Sequence, residues 1–234
     1  TDADVVFLSD QDDVWNLEKN KRQLEILAEH QEIEVLSADT EFNVSASEAT
    51  VPTNYIFKDN DQELSKFPIE HFYKAGFRQG MTLAIKKEFI SRFLKYWKED
   101  YNLLPHDALI ECLAGLLEVG YNLNECVAVH NRHESNASGK AVVTLKASKE
   151  LHIQELYAKY QGYYEVIYKV LEDSNSPLAL EEKEYYEFTK RRVENAQSGS
   201  ICKVIMQQFK DWKNYEHRSS QIRDIIFGFK KEIK

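Results

Sequence analysis

Hydrophobic and polar positions follow two regimes along the chain. In the first, short apolar runs are separated by polar turns. Val5, Val6, Phe7 and Leu8 form such a run, mostly β-branched or aromatic, and predict a buried strand that ends in a polar turn. A helix is expected over 18–30, with Leu24, Ile26 and Leu27 on its apolar side, and a second short strand over 34–38. Residues 39–68 have weak periodicity and many polar positions, and read as a long loop with short elements. A turn leads into a strand over 76–85, and the spacing of Phe89, Ile90, Phe93, Leu94 and Trp97 predicts a helix over 87–99. Pro105 precedes a helix expected over 106–119, which Gly120 would stop, and residues 126–130 read as another short strand.

The second regime begins near residue 145. Helical spacing runs almost unbroken, with helices expected over 146–172, 178–196 and 201–232. Tyrosines such as Tyr164, Tyr168, Tyr185 and Tyr186 fall at positions suited to core and helix–helix contacts. The pattern predicts an α/β part over 1–144, a partial sheet with flanking helices, followed by an all-α region over 145–234.

Composition narrows the functional classes. The chain has 234 residues, 43% hydrophobic and 29% charged, which suits a soluble folded protein. Mean hydropathy is -0.54, and no apolar stretch nears the ~20 residues of a membrane span. Cys112, Cys126 and Cys202 are widely spaced and form no CxxC pair. Free thiols in a reduced, cytoplasmic setting are the simplest reading. The net charge is -9, unevenly spread: residues 1–144 carry 14 basic and 25 acidic side chains, and residues 145–234 carry 16 and 14. So acidic a first part makes a poor nucleic-acid surface, which needs clustered Lys and Arg.

The chemistry concentrates in Ser9–Trp15. Asp10 and Asp12 sit two apart just past a predicted strand, where a turn can aim both carboxylates at one point, and Asp13 adds a third charge. Hard cations such as Mg²⁺ or Mn²⁺ take oxygen ligands of this kind, often together with substrate phosphates. An acidic turn that caps the following helix is the plainer alternative. Further on, Asp107 lies in the first turn of a predicted helix, where the helix dipole favours its ionised form; Asp is also common there as a capping residue.

The run Asp10-Gln11-Asp12-Asp13-Val14-Trp15, with Lys19 four residues on, resembles the metal-binding signature of family 2 glycosyltransferases of the GT-A fold, especially the bacterial rhamnosyltransferase-like branch. Two later segments follow in the order that the resemblance expects. One is Gly80-Met81-Thr82 leading into a strand; the other is His106-Asp107 at a helix start, with Ala108 and Leu109 where the family often has an aromatic residue. A tail motif of the type YRxHxxNxxG is matched at His133, Asn136 and Gly139, with His130-Asn131 in place of Tyr-Arg and Arg132 one position on.

The resemblance covers residues 4–139 and implies a metal-dependent, inverting glycosyltransferase moving a sugar from a nucleotide-sugar donor to a glycan or lipid-linked acceptor. It implies Asp10, Asp12 and His133 as ligands of Mg²⁺ or Mn²⁺, and Asp107 as the base. It implies substrate contacts by Asp13, Trp15, Lys19, Gly80, Thr82, His106, Arg132 and Asn136. The nucleotide-binding half that precedes this part in the family has no counterpart, since residues 1–75 contain no glycine. The chain is therefore expected to be the C-terminal part of such an enzyme, inactive alone, with an exposed sheet edge at its first strand. Two other readings remain open on the residues: a haloacid-dehalogenase-like phosphohydrolase with Asp10 as nucleophile, and a non-catalytic helical interaction module. Residues 217–234 pair an apolar stripe (Ile222, Ile225, Ile226, Phe229, Ile233) with basic side chains, and are the expected point of peripheral contact with the inner face of a membrane.

Overall fold

Six strands form one sheet among the described residues, which are 3–44, 60–71, 78–101, 106–132, 144–215 and 217–230 of the computed structural model. They are β1 (Val5–Phe7), β2 (Val14–Trp15), β3 (Val35–Val44), β4 (Leu64–Lys66), β5 (Ala84–Lys86) and β6 (Gly120–Arg132). Their order is β1-β5-β3-β6-β2, with β4 also paired to β6. Only β3 and β6 run parallel; the other pairs are antiparallel. The first strand does lie at the sheet edge, paired to β5 through Val6 opposite Ile85.

Two strands are much longer than the apolar pattern predicts. β3 has 10 residues and β6 has 13. The extension is polar, and its polar groups satisfy one another across the parallel ladder. Ser37 Oγ donates to Asn122 Oδ1 at 2.6 Å, Asn122 Nδ2 donates to Asp39 Oδ1 at 3.0 Å, and Thr40 Oγ1 donates to the Ala128 carbonyl at 2.8 Å. Buried polar groups are tolerated when paired in this way, and they leave no hydrophobic signal in the sequence. The ladder slips within this stretch, so that Ala38 faces Leu123 whereas Asp39 faces Cys126.

Helix α1 (Lys19–Glu29) lays Ile26 and Leu27 on the sheet, against Leu36, Ala38, Ala84 and Val127. Helix α2 (Lys87–Leu94) buries Phe89 and Phe93. Helix α3 (His106–Leu116) ends before Gly120, through a left-handed Glu118 at φ 59°. Gly120 serves a different purpose: a Cβ there would fall 2.3 Å from the Phe67 ring.

The chain divides into two compact units, one of residues 1–95 and 106–139, the other of 96–105 and 140–234. In the second, α4 (Lys149–Glu155) continues through a π-helical turn, Leu156–Gln161, into α5 (Gly162–Asp173). Tyr101, from the segment 96–105, packs edge-on against Tyr157 at 5.6 Å. α5 and α6 (Ala179–Gln197) meet through stacked tyrosines, Tyr164 on Tyr185 at 5.4 Å and Tyr168 on Tyr186 at 5.9 Å.

The helix expected over 201–232 is instead two, α7 (Ile201–Lys210) and α8 (Arg218–Phe229), joined through a 3₁₀ turn at Trp212–Asn214. Two buried polar contacts flank the break. Asp211 turns inward to accept from Arg191 at 2.9 and 3.3 Å, and buried Tyr215 donates its hydroxyl to Asp224 at 2.9 Å.

Candidate functional site

The turn after β1 carries the acidic run, and β6 holds it in place. Asp13 is fully enclosed: its Oδ1 lies 2.7 Å from His130 Nδ1 and accepts the backbone N–H of Asn131 at 3.0 Å. Asn131 Nδ2 donates to the Asp12 carbonyl at 2.6 Å. Phe42 supports the His130 ring edge-on at 5.7 Å. The expectation that Asp13 touches substrate therefore does not fit: its carboxylate anchors the turn. The anchors, His130 and Asn131, are the two residues that depart from the family's tail motif. Nothing in a single sequence links them to a turn more than a hundred positions away.

Asp10 stays exposed, and Asp12 is half-buried. Desolvation, then the negative charges of Asp13 and Asp12, push the Asp10 carboxyl above its ordinary value, with Asp107 adding to the effect and His130 opposing it. Asp107 thus belongs to the same electrostatic neighbourhood, although it comes from the first turn of α3. Its Oδ1 accepts the Ala108 N–H at 2.9 Å, a local cap. Its other oxygen lies against Gly80, where a Cβ would stand 3.3 Å from Oδ2. Any side chain at Gly80 would press on that carboxylate. His106 is exposed beside it.

One turn further along α3, Glu111 is buried, and burial pushes its carboxyl well above the ordinary range, with Arg78 as the main opposing charge. Glu111 Oε2 accepts the Arg78 backbone N–H at 3.2 Å. Its place within an apolar helical run hides it from any reading of local pattern.

Other expected contacts are placed differently. Thr82 is 0% exposed, donates its hydroxyl to the Gln79 carbonyl at 2.8 Å, and accepts Gln23 Nε2 on its own carbonyl at 2.8 Å. It is a strut between α1 and the sheet, out of reach of a substrate. Lys19 is 1% exposed, with its ammonium 4.1 Å from the centre of the Trp15 ring and 4.8 Å from that of Phe7. Burial lowers its pKa to about 8, so it too departs from the expected surface contact. Trp15 pairs with Ala128 in the sheet and is half-buried. Arg132 closes β6 opposite Val44. His133 and Asn136 lie outside the described residues.

The donor set suits a hard cation only in part. Asp10 and Asp12 offer oxygen ligands, and their mutual repulsion would fall on binding a divalent ion. No three His, Cys, Asp or Glu side chains among the described residues form a ready-made metal cage. A site of two carboxylates completed by phosphate oxygens is the form that Mg²⁺ commonly takes.

No family model matches the chain, and no curated protein matches it. A similar solved structure is S. aureus TarS 1-349 in complex with UDP-GlcNAc, at 15% identity and a TM-score of 0.47. The match covers 97% of this chain and 66% of that one, just under two thirds of its length. A likeness this remote carries no functional information.

Proposed function

We propose that the chain carries the metal and acceptor side of a metal-dependent, inverting glycosyltransferase of GT-A-like fold. Its donor is a nucleotide sugar and its acceptor a glycan or lipid-linked hydroxyl. The observation that supports this best is the meeting of the anchored Asp10–Asp12 turn with Asp107 and Gly80, from three separate parts of the sequence. The order and spacing of these residues in the chain support the same reading.

Asp10 and Asp12 would hold Mg²⁺ or Mn²⁺, which supplies positive charge against that developing on the leaving diphosphate. Asp107 accepts the proton of the acceptor hydroxyl as its oxygen bonds to the anomeric carbon. The bond from that carbon to the diphosphate oxygen breaks, and its electron pair leaves with the diphosphate. The Ala108 N–H occupies Asp107 Oδ1, and Gly80 leaves room at Oδ2. The Asp13–His130 contact keeps the acidic turn in one position, so that little reorganisation accompanies binding.

Asp107→Asn keeps the cap and the shape but cannot take a proton. In the intact enzyme it should lower kcat by about 10²–10⁴-fold with melting temperature nearly unchanged. Near-normal turnover would defeat the base assignment. In parallel, Asp10→Ala and Asp12→Ala should each abolish Mn²⁺ binding in calorimetry, and unchanged affinity in both would defeat the metal site.

A further inference from the structure

Helix α7 is built inside out. Its inward side is largely polar: Gln207 accepts from Asn195 Nδ2 at 2.7 Å, Gln208 donates to the Tyr215 hydroxyl at 2.8 Å, and Asp211 just beyond is held by Arg191. Only Val204 gives that side a buried apolar side chain. The large apolar residues face outward. Met206, Phe209 and Trp212 are 70%, 79% and 60% exposed, with Ile205 beside them. A helix packed for a watery surroundings has the reverse arrangement, and exposed apolar clusters of this kind mark contact sites.

The charges around these residues identify the contact. Lys203, Lys210 and Lys213 are exposed on the same stretch. Its single acidic residue, Asp211, is buried against Arg191. The outward face is therefore apolar and cationic, on a chain whose net charge is -9. A second copy of the chain would bring the same cations to a two-fold contact, where they repel. An anionic bilayer complements both features: aromatic rings and the thioether enter the headgroup boundary, while lysine ammonium groups meet the lipid charges.

We propose that the outward face of α7 and the turn after it docks on an anionic lipid surface. This contact is separate from the one expected at the last helix, of which residues 231–234 lie outside the described residues. In α8, Phe227 is buried, Arg223 pairs with Glu155 at 3.2 Å, and Lys230 donates to the carbonyls of Leu145 and Ala147 at 2.7 and 2.5 Å. Arg223 and Lys230 are thus engaged within the protein, whereas Arg218, Ile222 and Phe229 stay exposed. No helix of the described residues is long and apolar enough to cross a membrane, so the contact is with the surface.

The test is co-sedimentation of the whole chain with vesicles of phosphatidylcholine alone and of a roughly 3:1 mixture with phosphatidylglycerol. Binding to the mixed vesicles, absent from the neutral ones and weakened by salt, is expected. Phe209→Ser with Trp212→Ser should lower the partition coefficient at least about tenfold. Each of Lys203→Gln, Lys210→Gln and Lys213→Gln should lower it about fivefold. All these side chains are exposed, so melting temperature should not move. Absence of binding, equal binding to neutral vesicles, or binding indifferent to the double substitution would overturn the proposal. So would a dimer in lipid-free buffer that the double substitution dissolves, which would give the face to a second copy. Sugar-transfer activity does not enter this test, so its outcome is independent of the catalytic proposal.

Discussion

Two buried carboxylates, one in each unit, have opposite surroundings. In the helical unit, Asp224 has both oxygens engaged: Arg192 donates to them at 2.9 and 3.0 Å, Tyr215 adds a bond at 2.9 Å, and His152 Nε2 lies at 3.3 Å. Burial alone would push its carboxyl up, but Arg192 and His152 prevail and hold it well below the usual range. In the α/β unit, Asp13 has Oδ1 engaged, whereas its Oδ2 and His130 Nε2 are buried with no hydrogen-bond partner among the described residues. The carboxylates of Asp10 and Asp12 stand close to it in the same turn. The first carboxylate is a closed joint between helices. The second is anchored through one oxygen only, with further carboxylates nearby. Burial of a charge is thus no guide to function by itself; the number of its bonding positions left unmet is.

The largest effect should come from opening the closed joint. Arg192→Ala leaves Asp224 buried without its main partner and should cost about 3–5 kcal/mol in urea denaturation, with Mn²⁺ binding unchanged in any protein that remains folded. A cost below about 1 kcal/mol would mean that the joint is not structural. Asp13→Ala should cost less, about 1–3 kcal/mol. Unlike Arg192→Ala, it should also weaken Mn²⁺ binding, because the turn loses its anchor. If the two variants differ only in stability, the contrast between closed and open clusters fails.

Acid titration probes the same contrast. The folded-state pKa of Asp224 lies below the ordinary 3.8, so its contribution to stability is present above that value and is lost as pH falls through the lower folded one. Asp224→Asn should flatten that acid limb. The smallest effect concerns Lys19. Its pKa is lowered to about 8 from 10.5, so between those values the unfolded chain binds more protons and stability rises with pH. Lys19→Met removes a buried charge and should raise the melting temperature slightly at pH 7, while erasing that alkaline rise.

Elements with an apolar signature were legible in the sequence. The first strand, α1, the continuous run from α4 through α5, and α6 lie within a few residues of their expected bounds, and the tyrosines stack between helices as their spacing suggests. The full lengths of β3 and β6 were not legible, because Ser37, Asp39, Thr40 and Asn122 hold them by hydrogen bonds rather than by apolar contacts. The break at Asp211 was hidden because apolar spacing continues through it. At the site, the spacing of Asp10 and Asp12 and the place of Asp107 at a helix start were visible. That Asp13 and Thr82 are supports depends on partners far along the chain, which local patterns do not encode.

The parallel ladder also bears on the order in which the protein assembles. Its hydrogen bonds join residues 83–88 positions apart, and Asp13 meets His130 across 117. Closing loops of that length costs chain entropy before any contact repays it, and such topologies form late. A growing chain can make α1 as soon as it is released, but β3 has no parallel neighbour until residue 132 has emerged. Until then the acidic turn has nothing to fix it, so the candidate site is among the last parts of its unit to take shape.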